Sequence, residues 1–148
     1  MKKILSIIVL GLLFSVNAYA DLYKSKSFKC SYYHTSIGEI KNNKYKVDSE
    51  RTKKFEFSIV NINPTTKKSL LVGNNGTDEM TVINTNQSGI HFIQIMPVGN
   101  MTLTTIYPEE IGFNELGHKL FSSSHSRHMA MINKSLPQQF YGTCAKTG

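Results

Sequence analysis

The sequence predicts an all-β protein, an antiparallel up-and-down barrel or strongly curled sheet of about seven to nine strands with at most one short helix. Beyond the first 20 residues, apolar side chains recur with a period of two, with little sign of the helical period of 3.6. Short turns rich in Gly, Asn and Pro separate these runs. The chain has two cysteines, Cys30 and Cys144, which lie near its two ends.

The first 20 residues have the features of a Sec-type signal peptide. Lys2 and Lys3 give a positive start, residues 4–16 are almost wholly apolar, and the sequence AYA ends at Ala20. We predict cleavage after Ala20, a single β-barrel domain over residues 21–148, and a periplasmic or secreted location. The apolar run is shorter than the roughly 20 residues that cross a membrane. We therefore expect no integral membrane segment in the mature chain.

The first half of the mature chain predicts strands on either side of a basic segment. Residues 28–33 and 55–59 alternate apolar and polar side chains, which is typical of half-buried strands. Residues 38–52 are the least periodic and most basic stretch, and we predict a long loop there at one end of the barrel. Residues 69–72 run into the Asn-Gly turn of 73–76, which predicts a hairpin.

The second half predicts a further hairpin, one short helix and the closing strands. Residues 88–107 carry two arms rich in β-branched and aromatic residues around a Pro-Val-Gly-Asn turn. Residues 108–117 begin with proline and acids and end at glycine, which predicts a short helix. The closing strands are predicted at residues 120–125, 128–132 and 139–144.

The two cysteines predict a disulfide, because a lone pair in an oxidising compartment usually forms one. A Cys30–Cys144 bond would close a loop of more than a hundred residues. It would stabilise the fold by roughly 4 to 5 kcal/mol in the chain-entropy description. It would also tie the first strand to the last, as a closed or nearly closed sheet requires.

The chain is basic, with a formal net charge of +7 that falls by two when Lys2 and Lys3 leave with the signal. Much of the excess lies in residues 24–54. Such a region could face anionic glycans, lipopolysaccharide or nucleic acid. The aromatic residues in this stretch do not form a regular interleaved pattern that would build a surface for stacking bases, so we interpret the region as a solvated face and expect no nucleic-acid partner.

Residues 122–128, SSSHSRH, are the stretch that most suggests reactive chemistry. Alternation on a strand places the three odd-numbered side chains His125, Arg127 and Ser123 on one face and the other serines opposite. Adjacent Ser and His therefore cannot form the nucleophile and base pair of a hydrolase. His125 and His128 fall on opposite faces, which argues against a shared metal site. We expect no catalytic residue, no metal, no cofactor and no enzymatic activity.

Arg127 is the most informative residue of this stretch. Inside a barrel an unpaired guanidinium is costly, and it would require a carboxylate, carbonyl groups or an anionic ligand. Two interpretations stay open: a structural arginine that reaches solvent or an internal ion pair, and a ligand-binding one. We take Arg127, His125 and His128 as candidate ligand or partner residues.

An early Phe-x-Cys strand, a Ser-Gly hairpin arm and a late cysteine resemble the periplasmic C-type lysozyme inhibitors. These are small secreted barrels with a terminus-linking disulfide, in which a Ser-Gly-Ala-Arg-Tyr motif helps contact the lysozyme active site. The matching residues here are Ser88, Gly89, Ile90, His91 and Phe92, with histidine at the arginine position. The resemblance implies a barrel and names Ser88, His91 and Phe92 as candidate partner contacts.

The tail of the chain, SRHMAMI followed by PQQFYGTC, resembles the ending of a group of uncharacterised secreted bacterial β-barrel proteins. This resemblance implies the barrel and the disulfide. It implies no chemistry.

These observations predict a non-enzymatic periplasmic or secreted binding protein for a small apolar or amphipathic ligand. The reason is that an eight-stranded barrel is just wide enough to hold one small molecule. The alternative is a protein inhibitor or interaction module that contacts an extracytoplasmic protein through the 88–107 hairpin.

Overall fold

Eight antiparallel strands close into a barrel in chain order, with the last strand pairing back to the first. The computed structural model describes residues 21–42, 44–85, 88–131 and 134–148, so the predicted signal peptide lies outside the described residues. The closed ring confirms the predicted all-β barrel. The strands are β1 (Phe28–Lys41), β2 (Lys44–Asn63), β3 (Lys68–Gly73), β4 (Gly76–Thr85), β5 (Gly89–Ile95), β6 (Met101–Phe113), β7 (Lys119–Met131) and β8 (Lys134–Lys146).

The predicted helix over residues 108–117 is wrong. β6 continues through Phe113, and the chain then turns over residues 114–118, where the Asn114 side chain accepts hydrogen bonds from the backbone N–H groups of Leu116 and His118. Pro108 lies where the β6–β7 register shifts, and a missing N–H is tolerated at such an irregularity. The helical segment in the described part of the chain is a short one at residues 21–23.

The predicted long loop over residues 38–52 is also wrong, because β1 and β2 stay paired there, and past Ile37, where the pairing of β1 with β8 ends, they form a two-stranded ribbon. Their register runs from His34 opposite Arg51 to Lys41 opposite Lys44. The pairing of β2 with β3 covers only residues between Ser58 and Asn63, so the ribbon projects past that part of the wall. Side chains over residues 46–51 are exposed. A stretch of strand with no buried face, as in residues 46–51, has no reason to alternate apolar and polar residues.

The barrel closes along the seam between β1 and β8. Cys30 and Cys144 are directly opposite one another across this seam and form a disulfide, which confirms the predicted bond. Two residues earlier, a methyl group on Gly142 would overlap the carbonyl oxygen of Ser31 and lie 2.7 Å from the Cα of Tyr32. The close approach of the two backbones at the seam therefore requires glycine.

One end of the barrel is closed by the N-terminal segment. Leu22 is fully buried among the core side chains. The Asp21 carboxylate forms ion pairs with Lys146 Nζ at 2.5 Å and Lys119 Nζ at 3.3 Å, which hold the segment against β8 and β7. Apolar side chains then fill the interior up to its middle; they include Phe28, Tyr32, Phe57, Ile59, Met80, Val82, Ile90, Phe92, Ile106 and Phe121. Within the described ranges, no helix has the length and apolar character needed to cross a membrane.

Candidate functional site

A cavity of about 360 Å³ opens at the end of the barrel opposite Leu22; we call it the mouth cavity. The β3–β4 and β5–β6 turns contribute to its rim. Its volume falls within the range of roughly 300 to 1,000 Å³ that is usual for small-molecule sites. The side chains around it are aromatic, aliphatic, thioether and polar, and they include Phe55, Phe57, Leu71, Gln94, Met96, Thr102, His125, Arg127 and Met129.

Two of the candidate residues from SSSHSRH reach this cavity from β7. Phe121, Ser123 and His125 are buried on the inner face of the strand, and Arg127 follows them at the mouth. The neighbouring Ser124 instead contacts the hydroxyl of the exposed Tyr107 at 3.0 Å. This is the alternation that the sequence predicts. Along the inner face of β7, the side chains therefore pass from the apolar core at Phe121 to the cavity at Arg127.

His125 is enclosed, with only 2% of its surface exposed. Its Nδ1 lies 2.8 Å from Thr104 Oγ1, and its Nε2 accepts a hydrogen bond from Arg127 Nε at 3.4 Å. The rings of Phe55 and Phe57 are among four aromatic rings with centroids 5.2 to 5.9 Å from the imidazole. Burial, reinforced by the charge of Arg127, lowers the pKa of His125 to about 3.

The hydrogen bonds of His125 follow from this neutral state. Since Nε2 accepts from Arg127, the single imidazole proton is on Nδ1, which donates to the Thr104 hydroxyl oxygen. Both ring nitrogens are thereby engaged. The imidazole acts as a neutral acceptor that holds one edge of the Arg127 guanidinium.

Arg127 is half-buried and lies between two aromatic rings. Its Cζ is 4.4 Å from the ring centroid of Phe55 and 4.9 Å from that of Phe140, distances at which a cation interacts favourably with an aromatic ring. Across the described part of the chain, none of the ion pairs involves Arg127. Burial lowers the pKa of the Arg127 guanidinium below its ordinary value.

Two carboxylates also border the cavity. Glu56 is engaged elsewhere, because its Oε1 accepts hydrogen bonds from Ser31 Oγ at 2.6 Å and from Lys54 Nζ at 2.8 Å. Asp78 is exposed at the rim, on the strand that follows the β3–β4 turn. Among the described residues at the mouth, the half-buried charge without an ion pair is therefore the positive one of Arg127.

The structure does not bring the other candidates into this site. His128 is exposed, on the face of β7 opposite His125. Ser88 lies at the closed end, with its hydroxyl 2.5 Å from Thr85 Oγ1. His91 contacts Thr105 Oγ1 at 3.0 Å and is partly exposed, whereas Phe92 is fully buried in the core. Ser88, His91 and Phe92 thus do not share one surface.

Sequence reasoning did not identify the aromatic partners of Arg127. Phe55 and Phe140 each lie in a run that alternation assigns to a strand. Alternation shows which face a residue occupies but not its height in the barrel. The signal that could have found Phe140 is the β7–β8 register, which pairs it with His125.

A larger groove, about 530 Å³, lies on the outer wall beside the β6–β7 turn. Its charged side chains include Lys54 and Glu56, which pair with each other. The mouth cavity is the stronger candidate site because it contains Arg127, a half-buried charge that takes part in none of the ion pairs of the described residues. Among the described residues, no group of three His, Cys, Asp or Glu side chains is placed to hold a metal ion.

No protein-family model, curated protein or solved structure matches the chain.

Proposed function

We propose that this protein binds a small amphipathic molecule at the mouth of its barrel and is not an enzyme. The observation that carries the proposal is the mouth cavity itself, about 360 Å³ between a packed core and the rim. Apolar walls with a few polar groups are typical of small-molecule sites, where the walls supply affinity and the polar groups fix orientation. The apolar walls are formed by Leu71, Met96 and Phe55. The polar groups are those of Arg127 and Gln94.

The chemistry of the site favours binding over catalysis. A general base or nucleophile must have a nitrogen or oxygen free to meet the substrate. Both nitrogens of His125 are engaged by Thr104 and Arg127, and the imidazole is buried. In this proposal His125 therefore positions Arg127 and does not react with a substrate.

The proposed location is the periplasm or the extracellular medium. The Cys30–Cys144 disulfide supports it, because disulfides persist in oxidising compartments and are rare in reducing ones. The sequence of residues 1–20 supports it independently, through the signal-peptide pattern.

The test uses ¹⁵N-labelled mature protein, residues 21–148, titrated with octan-1-ol and with octanoate. We expect backbone shift changes around Gln94, Thr102 and Arg127, with little change near Leu22 at the closed end. Leu71→Trp should abolish them by filling the cavity. Val72→Trp is the matched control, because this neighbouring residue is exposed and does not line the cavity.

Two outcomes would refute the proposal. One is the absence of saturable shift changes with either amphiphile. The other is a pattern of changes that Leu71→Trp and Val72→Trp affect equally, since that would place the ligand outside the mouth.

A second candidate function is contact with an extracytoplasmic protein through the 88–107 hairpin. The observation in its favour is the exposure of two apolar residues at the β5–β6 turn, 74% for Ile95 and 79% for Val98. Because the sequence resembles the lysozyme inhibitors, a lysozyme-inhibition assay tests this candidate function. Inhibition that Val98→Ser removes and His91→Ala weakens would support this candidate; no inhibition at micromolar protein would exclude lysozyme as the partner.

A further inference from the structure

We infer that the molecule bound at the mouth carries a carboxylate, which Arg127 binds through the two terminal nitrogens of its guanidinium. The inference rests on the proposed function and specifies the chemical class of its ligand. It concerns the headgroup, whereas the apolar wall of the cavity accepts the remainder of the molecule.

The first step is the charge balance of the site. Buried charged groups are normally paired, because a charge that loses hydration without compensation is costly. Arg127 has ring contacts with Phe55 and Phe140 but takes part in none of the ion pairs that the described residues form. Glu56 is held by Lys54 and Ser31. Asp78 is exposed at the rim, and in the described part of the chain it forms no ion pair with Arg127. The charge of Arg127 therefore favours an anionic group on the ligand.

The second step is the set of hydrogen-bond donors. A guanidinium has five N–H groups in a planar fork, and in the described part of the chain only Nε of Arg127 has an assigned acceptor, His125 Nε2. The terminal nitrogens remain as donors at the cavity. The spacing of two parallel N–H donors matches the two oxygens of a carboxylate, which favours that headgroup over an alcohol.

The third step is preorganisation. His125 holds the Nε edge of the guanidinium, and the contact between Thr104 Oγ1 and Nδ1 fixes the orientation of the imidazole. Phe55 and Phe140 confine the guanidinium by contact with its central carbon. An arginine fixed before the ligand arrives loses little conformational entropy on binding, so more of the interaction free energy appears as affinity.

The fourth step is the apolar part of the ligand. Leu71, Met96 and Met129 line the same cavity as Arg127. Methionine side chains are flexible and polarisable and can pack against chains of different shape. The site therefore suits a carboxylate attached to an apolar group, and it disfavours a cation of the same size, which Arg127 would repel.

The experiment compares three probes with the same alkyl chain: octanoate, octan-1-ol and octylammonium. Binding to the mature protein is measured by calorimetry and by the shift changes at the mouth. We expect octanoate to bind at least about tenfold more tightly than octan-1-ol, because its hydrogen bonds to Arg127 are charge-assisted. Octylammonium should bind most weakly.

Arg127→Gln should lower the affinity for octanoate by at least about tenfold and so remove the preference for octanoate over octan-1-ol. Arg51→Gln is the matched control, since Arg51 is an exposed arginine of β2 outside the cavity and its loss changes the net charge equally. Arg127→Lys should give intermediate affinity, because lysine keeps the charge but not the planar fork.

The outcomes separate the two proposals. If octan-1-ol binds at the mouth and octanoate binds no more tightly, the carboxylate inference is overturned while the proposed function stands. The same holds if Arg127→Gln keeps the preference for octanoate. If neither probe binds, the proposed function fails. Should Arg127→Gln not fold, the comparison of the three probes on the unsubstituted protein still decides.

Discussion

The buried imidazole of His125 predicts that the protein loses stability in mild acid. The perturbation is a change of pH from about 7.5 to about 5, a range in which an exposed histidine gains a proton. In the native state His125 stays neutral, because burial and Arg127 lower its pKa from 6.5 to about 3. In the unfolded chain the same imidazole is hydrated and binds a proton near its ordinary pKa.

The sign and size follow from proton linkage. Between the two pKa values the unfolded state binds more protons than the native state, so the free energy of unfolding falls as the pH falls. The contribution of His125 to stability is complete above about pH 6.5 and is lost progressively toward pH 3. The expected loss is about 2 kcal/mol at pH 5 and about 4 kcal/mol at pH 3.

The assay is urea unfolding followed by far-ultraviolet circular dichroism at several pH values. Interactions with Lys146 and Lys119 hold the pKa of Asp21 below 3.8. Burial raises the pKa of Glu56, but hydrogen bonds from Lys54 and Ser31 outweigh it and keep that pKa below 4.5. Both carboxyls therefore titrate below the pH range of about 5 to 7.5 that the assay covers.

His125→Gln should remove most of the pH dependence, whereas His128→Gln, at an exposed position on the opposite face of β7, should retain it. An equal slope in His125→Gln and the unsubstituted protein would refute the reasoning. So would an NMR titration that places the pKa of His125 near 6.5.

Two further predictions concern the seam between β1 and β8. Replacing Cys30 and Cys144 together by serine should lower the free energy of unfolding by about 4 to 5 kcal/mol, since the bond joins residues 114 apart, and urea midpoints of the oxidised protein and the variant measure the loss. Gly142→Ala should destabilise by about 1 to 3 kcal/mol, because the methyl group overlaps the backbone of β1. Gly73→Ala, where the methyl group meets only an ordinary contact, should change stability little; equal losses in both variants would contradict this account.

The barrel was predictable from sequence because most of its strands have one buried face. Alternation at Phe28, Cys30 and Tyr32 reports burial of every second side chain, and the closed interior is where those side chains lie. The β1–β2 ribbon has no such face over residues 46–51, so its sequence resembles that of a loop. Alternation of apolar and polar residues reports that one face of a strand is buried. A strand with both faces exposed does not show this alternation.

The error at residues 108–117 has a different cause. Proline, acids and a terminal glycine are features of helix ends, but they also suit an irregular strand followed by a turn. Pro108 occupies a shift of register, and Gly117 adopts a φ of 75° in the turn. The choice between the two depends on whether β7 is available as a pairing partner for β6, which the segment itself does not encode.

The candidate site was half predictable. Alternation correctly placed His125 and Arg127 on one face, since that property depends only on position along β7. What they contact depends on the strands around them. Phe140 meets His125 through the β7–β8 register, and Phe55 reaches the same point from β2 across the interior. Such contacts require the closure of the barrel to be known first.

The two ends of the barrel differ in how their charges are compensated, and this difference supports the proposed ligand site at the mouth. At the closed end the Asp21 carboxylate lies between Lys119 and Lys146, so each charge has a partner within the chain. At the mouth Arg127 has aromatic rings and a neutral imidazole instead. A well-packed apolar side chain in its place would avoid the cost of desolvating a charge. An arginine there therefore supports the proposal that the mouth receives a partner from outside the chain.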